Sequence, residues 1–70
     1  MSGLVIYTLG NCPTCARAKA DLDAAGVPYE ERRVDQSVEY WEQATELAIT
    51  VPILVREDGR LEVGWKGETG

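Results

Sequence analysis

The sequence has no histidine, one methionine, three prolines and only two cysteines among 70 residues. Without histidine, and with a single cysteine pair, one chain cannot assemble the roughly four cysteine and histidine ligands of a closed zinc site. No stretch approaches the roughly 20 apolar residues of a membrane-spanning helix, and Met1–Gly3 lacks the basic start and apolar body of a signal peptide, so the expected location is cytoplasmic. Positive charge is also scarce: seven basic residues face twelve acidic ones, a formal net charge of −5. That balance argues against binding a nucleic-acid backbone and turns attention to proteins or small thiols as partners. Repeats, low-complexity segments and linkers are absent. Seventy residues fit one domain, 1–70, which buries only about 60% of its extended surface. With 44% apolar residues the chain is still globular in composition, not disordered.

What is present is organised around Cys12-Pro13-Thr14-Cys15. Pro13 suits the first position of a helix, where its missing N–H is not needed, and this makes Cys12 the N-cap. Free N–H groups of the first turn and the positive end of the helix dipole then converge on the Cys12 sulfur and favour thiolate. A thiol at about 8.5 is only a few per cent ionised at neutral pH, so this placement makes Cys12 the candidate nucleophile. Arg17 and Lys19 are possible electrostatic helpers or merely parts of a solvated helix face. A structural staple is a poor fit, since so short a loop removes only about 2 kcal/mol of chain entropy. Two alternatives stay open: a metal or iron–sulfur carrier sharing cysteines across a dimer, and a binding module without turnover.

Leu4–Thr8 is a continuous apolar and β-branched run, the pattern of a central strand buried on both faces. From Pro13 to Ala25, Cys15, Ala18, Leu22 and Ala25 recur at helical spacing, with Gly26 and Pro28 as stop signals. Pro28–Val34, rich in charge, reads as an edge strand. Asp35 or Ser37 caps a second helix running to about Leu47, with Tyr40 or Trp41, Ala44, Leu47 and Ala48 as its expected core stripe. Thr50–Val55 and Leu61–Trp65 flank an Asp58-Gly59 turn and form an antiparallel hairpin, with Pro52 opening its first strand. The order is β-α-β-α-β-β: parallel strands joined by crossover helices, then a hairpin.

Ile6-Tyr7-Thr8 before the cysteine pair, with Thr50-Val51-Pro52 opening a later strand, resembles the glutaredoxin family. The resemblance covers nearly the whole chain and implies a minimal thioredoxin-like α/β fold with a mixed four-stranded sheet. It further implies that Cys12 attacks, that Cys15 resolves, and that the Val51–Pro52 bond is cis beside the cysteines. The backbone of Val51 would then be free to pair with an extended peptide or glutathione. Partner contacts are accordingly expected at Pro13, Thr14, Val51, Pro52, Trp65 and Lys66. No bound cofactor or metal is implied, only an external reductant, glutathione or a thioredoxin reductase. Expected partners are a disulfide-containing protein or small thiol and the reductase, with the chain a monomer or weak dimer.

Two departures from the family pattern stand out. The Gly-Gly and nearby Asp that usually hold the glutathione γ-glutamyl carboxylate are missing from Gly64–Gly70. Trp65-Lys66-Gly67 is closer to the Trp-x-Gly of NrdH-like redoxins, which are reduced by thioredoxin reductase. The family's last helix is also short or missing, and a bare sheet face is expected where it would lie.

Overall fold

A computed structural model describes residues 3–68; the expectations placed on Met1, Ser2, Thr69 and Gly70 lie outside the described residues. The elements follow as β1 (Val5–Thr8), α1 (Pro13–Ala24), β2 (Glu30–Arg33), α2 (Val38–Leu47), β3 (Ile53–Val55) and β4 (Leu61–Val63). Each strand is shorter than its sequence pattern, because ladder pairing is narrower than the apolar run that signals it. Among the described residues no helix follows β4.

The sheet order is β2-β1-β3-β4, which puts β1 in the interior and the charged β2 at an edge, as expected. β1 and β2 are parallel, whereas β3 runs antiparallel to both β1 and β4. The expectation of parallel strands across both crossovers therefore fails at the second one. The chain enters β3 beyond β1 from the opposite end, a choice made by long-range packing that periodicity does not encode. Pro52 has no N–H to give a ladder, and β3 accordingly begins at Ile53.

Two apolar clusters form on opposite faces of the sheet. On the α1 side, Leu4, Ile6, Ala18, Leu22 and Leu54 pack together, with Tyr29 and Trp65 at the margin. On the α2 side lie Tyr7, Cys12, Cys15, Val34, Ala44, Val51 and Ile53. Helix α1 is stopped as its sequence predicts: Ala25 is the C-cap, and Gly26 adopts φ +71°, a left-handed conformation that glycine takes without steric cost.

Helix α2 runs to Leu47 as expected, but its buried face is narrower than the expected stripe. Ser37, not Asp35, is the N-cap, accepting the Tyr40 N–H at 3.3 Å. Ala44 is the only fully buried residue of α2; Tyr40 and Ala48 are partly buried, but Leu47 is exposed and Trp41 is 54% exposed. Of the two alternatives Tyr40 or Trp41, it is Tyr40 that packs against the core, and the assignment of Leu47 to the stripe is corrected. Beneath the helix, Arg32 lies against the rings of Tyr7 and Tyr40, 5.6 Å from each centroid. Arg32 also donates to Tyr7 Oη at 3.0 Å and Gln43 Oε1 at 3.1 Å. This polar layer fills the space a wider apolar stripe would need.

The exposed apolar side chains of β4, Leu61 and Val63, stand opposite Val55 and Ile53. Opposed residues share a face, so the bare strip is on the α2 side. On the α1 side Trp65 packs at the margin of the cluster.

Candidate functional site

The site forms where β1 ends and α1 begins. Cys12 has extended dihedrals (φ −110°, ψ 103°), the geometry of an N-cap, and Pro13 opens the helix. The Cys15 N–H donates to Cys12 Sγ at 3.0 Å, which is the convergence of donor and sulfur expected from sequence. The two cysteines are joined as a disulfide with Cα atoms 5.2 Å apart. Both cysteines are buried, Cys12 at 7% exposure and Cys15 at 1%, so Cys12 lies nearer the surface.

The Val51–Pro52 bond is cis. Val51 shares the buried cluster with both cysteines, and Pro52 is fully buried. The Val51 N–H donates to no described residue, while its carbonyl accepts from Thr50 Oγ1 at 3.4 Å. Pro13 is exposed and Thr14 buried. Cys12, Pro13, Thr14, Cys15, Val51 and Pro52 are therefore brought together at one end of the sheet.

Trp65 and Lys66 are placed differently. Lys66 (φ 51°) and Gly67 (φ 85°) make a tight turn closed by mutual hydrogen bonds between Trp65 and Glu68. The Trp65 indole donates to Asp21 Oδ2 at 2.7 Å, and Lys66 Nζ meets the same oxygen at 3.1 Å. Asp21 sits roughly 9 Å of helix rise beyond Cys15, so both side chains lie along α1 instead of at the sulfurs. The other end of the turn comes nearer: Glu68 pairs with Arg17, whose Nη2 donates to Thr14 Oγ1 at 3.3 Å. Arg17 is thus a link between turn and cysteine loop. Lys19 is paired with Glu31 at 2.8 Å.

Hydrogen bonds from Trp65 and then Lys66 hold the Asp21 carboxyl below its ordinary value. A depressed carboxylate contributes stability that is complete above the unfolded value, about 3.9, and is lost as pH falls through the lower folded value. The turn should consequently stay docked down to about pH 4 and loosen only below it. The Trp65 Nε1 proton resonance reports this directly: a transition at neutral pH would contradict it, and Asp21→Asn should abolish the acid step.

Sequence reasoning missed the support of the loop before Cys12. The Arg33 guanidinium binds Asp35 through two bonds of 2.8 and 2.7 Å, and Asp35 Oδ2 accepts the Gly10 N–H at 3.3 Å. A Cβ on Gly10 would lie 2.3 Å from Arg33 Nη2, so a larger residue there would push the end of the Arg33 side chain aside from the loop. Arg33 holds the Asp35 carboxyl below its usual range. The signal available was Gly10 itself, ahead of the cysteines, but its partner lies across a strand pair. Among the described residues no group of three or more His, Cys, Asp or Glu side chains could hold a metal ion.

A four-stranded mixed sheet with a disulfide at the first helix start defines a thioredoxin-like protein, and solved structures agree. The thioredoxin-like protein BC3987 superposes with a TM-score of 0.81 at 26% identity, covering 90% of this chain and 88% of that one. The glutaredoxin from Archaeoglobus fulgidus gives a TM-score of 0.78 at 26% identity over 94% and 78% of the two chains. The glutaredoxin family model matches residues 4–61, and the chain belongs to the glutaredoxin family. Glutaredoxin 1 of Rickettsia bellii is 49% identical over 37 residues, 53% of this chain and 38% of that protein. Its counterpart in Rickettsia felis is 55% identical over 31 residues, 44% of this chain and 30% of that protein. The matched stretch thus spans well under half the length of these relatives.

Proposed function

We propose that the chain is a thiol–disulfide oxidoreductase acting through Cys12 and Cys15, with Pro13, Thr14, Val51, Pro52, Trp65 and Lys66 shaping the partner surface. The observation that carries this reading is the disulfide at the start of α1, with an amide donor on the Cys12 sulfur. In the reduced protein the Cys12 thiolate attacks one sulfur of a substrate disulfide. A bond forms to that sulfur, and the other leaves as a thiolate that takes a proton from solvent. Cys15, deprotonated, then attacks Cys12 Sγ, forming the intramolecular disulfide and releasing the second substrate thiolate. Two electrons pass to the substrate, and an external reductant must restore the dithiol. An extended substrate segment is proposed to pair with the backbone of Val51, and Trp65 and Lys66 to act through the turn they fix against α1.

The donor is proposed to be a protein reductase in preference to glutathione. Glutathione carries a carboxylate at each end and needs cationic or amide donors there. Arg17, the basic side chain bonded to the cysteine loop, is already matched by Glu68, and Lys66 by Asp21. Disulfide reduction coupled to glutathione and its reductase should therefore run at least about tenfold slower than reduction coupled to thioredoxin reductase, since repelled or unpaired charge weakens binding by such factors. Comparable turnover with glutathione alone would assign the chain to the glutathione-dependent branch. No reduction with either donor would remove the oxidoreductase reading.

A further inference from the structure

Each of the seven basic side chains is paired with a carboxylate of its own. Arg17 is the one that also reaches between the two cysteines: its Nη2 donates to Thr14 Oγ1 at 3.3 Å, while the Glu68 carboxylate takes the same nitrogen. Helical side chains lean toward the N-terminus of their helix. The guanidinium is thus carried from the second turn of α1 back to the first, the turn in which the Cys15 N–H meets Cys12 Sγ. A cation held there stands at the rim of the redox site, and with Arg17 and Glu68 55% and 59% exposed the pair is open to solvent and to substrate.

Glu68 is delivered to Arg17 by a fixed piece of backbone. Its main chain exchanges hydrogen bonds of 2.7 and 3.0 Å with Trp65, and the Trp65 indole and Lys66 Nζ are both held by Asp21. Asp21 lies four residues beyond Arg17, one turn or about 6 Å along the helix. The 65–68 turn therefore runs along α1 toward the cysteines, anchored at Asp21, and lays its last carboxylate on Arg17. The Asp21 anchor already docks the turn, and an exposed ion pair adds little to stability. The larger consequence of the pair is chemical, because a guanidinium edge taken by Glu68 is not open to a carboxylate from outside.

We propose that Arg17 is a carboxylate subsite beside the redox pair and that Glu68 fills it from within the chain, which makes Glu68 the residue that sets the sign of substrate accepted. A disulfide with a carboxylate near its sulfurs has to displace Glu68 to reach Arg17. An uncharged disulfide does not, and a cationic one meets Glu68 as an attraction. The proposal rests on the oxidoreductase reading and assigns the charge selectivity of that site to one ion pair.

The test uses the intact chain and three small disulfides of similar size: dithiodiglycolate with two carboxylates, bis(2-hydroxyethyl) disulfide with no charge, and cystamine with two ammonium groups. Each kcat/KM is divided by that of the uncharged disulfide, so that a change in the cysteines themselves or in folding, which acts on all three, drops out. At low salt Glu68→Gln should raise the relative rate on dithiodiglycolate about three- to fivefold, mainly through KM, and lower that on cystamine, the range expected of an exposed charge pair. Both changes should shrink at about 0.5 M salt, as screening shortens to a few ångströms. Glu42→Gln, exposed on α2, removes the same net charge elsewhere and should move the ratios by less than about 1.5-fold. The double variant R17Q/E68Q should fall back to within about 1.5-fold of the unaltered chain, and R17K/E68Q should keep part of the gain, because lysine restores the charge without the planar fork. Ratios unmoved by Glu68→Gln, a gain that Glu42→Gln matches, or a gain that persists in R17Q/E68Q would overturn the subsite, while reduction of the uncharged disulfide leaves the oxidoreductase reading standing. No reduction of any of the three would overturn both.

Discussion

Cys12→Ser is expected to leave no measurable disulfide reduction, a fall of at least about a thousand-fold, the scale seen when a covalent nucleophile is removed. A serine hydroxyl is scarcely ionised at neutral pH and forms no mixed disulfide, whatever amides surround it. Cys15→Ser should behave differently. It retains Cys12, the less buried of the two, but lacks the Cys15 sulfur that displaces product, so the protein should accumulate as a mixed disulfide, visible as an added mass removed by reductant. In that variant Cys12 should titrate below the reference of about 8.5, because the first-turn amides and the helix dipole favour its charged form. The sign matters for the pH profile: a lowered thiol value keeps activity as pH falls from 8 toward neutrality. A Cys15→Ser variant that is dead and forms no adduct, beside an active Cys12→Ser, would exchange the two roles.

The parts of the fold legible in the sequence are those fixed by neighbours along the chain. Pro13 after Cys12 marks a helix start, Gly26 with Pro28 marks its end, and Asp58-Gly59 between apolar runs marks a hairpin; all three are local chemistry. The interior position of β1 followed from its unbroken apolar run, and the edge position of β2 from its charges. The direction of β3 and the choice of buried face on α2 depend on contacts between distant residues, and there the pattern misled. Trp41 has helical spacing relative to Ala44 and Ala48, yet Arg32 and Gln43 occupy the layer beneath the helix and leave the indole outside. The same limit applies to the site. The cysteine pair could be read directly, and the Val51–Pro52 segment by resemblance. The roles of Asp21, Asp35 and Glu68 could not, because each acts across elements on a residue at least 25 positions away in Gly10 or Trp65, or on Arg17.

Leu54→Ala should be the most damaging substitution outside the cysteines. Leu54 is wholly buried on the interior strand β3, packed with Leu4, Ile6, Ala18 and Leu22. Truncating a buried leucine costs about 2–5 kcal/mol, part of it for the cavity left behind. A chain of this size has roughly 3.5–10 kcal/mol of total stability at the usual value per residue, so the variant loses a large share of it. With each kilocalorie worth about 4–8 °C in a domain this small, Tm should fall by roughly 10–30 °C. Ile49→Ala is the matched control: an equally apolar side chain, fully exposed, whose loss should change stability by no more than about 0.5 kcal/mol. Denaturant titration of both variants separates burial from hydrophobicity as the cause, and a Leu54→Ala cost under about 1 kcal/mol would mean that the α1-side cluster is not the main support of the sheet. The functional consequence follows from position. Val51 and Pro52 lead directly into β3, so loosening Leu54 should slow disulfide reduction before the protein unfolds, whereas the Ile49 variant should keep its small-disulfide rate at every temperature below its Tm.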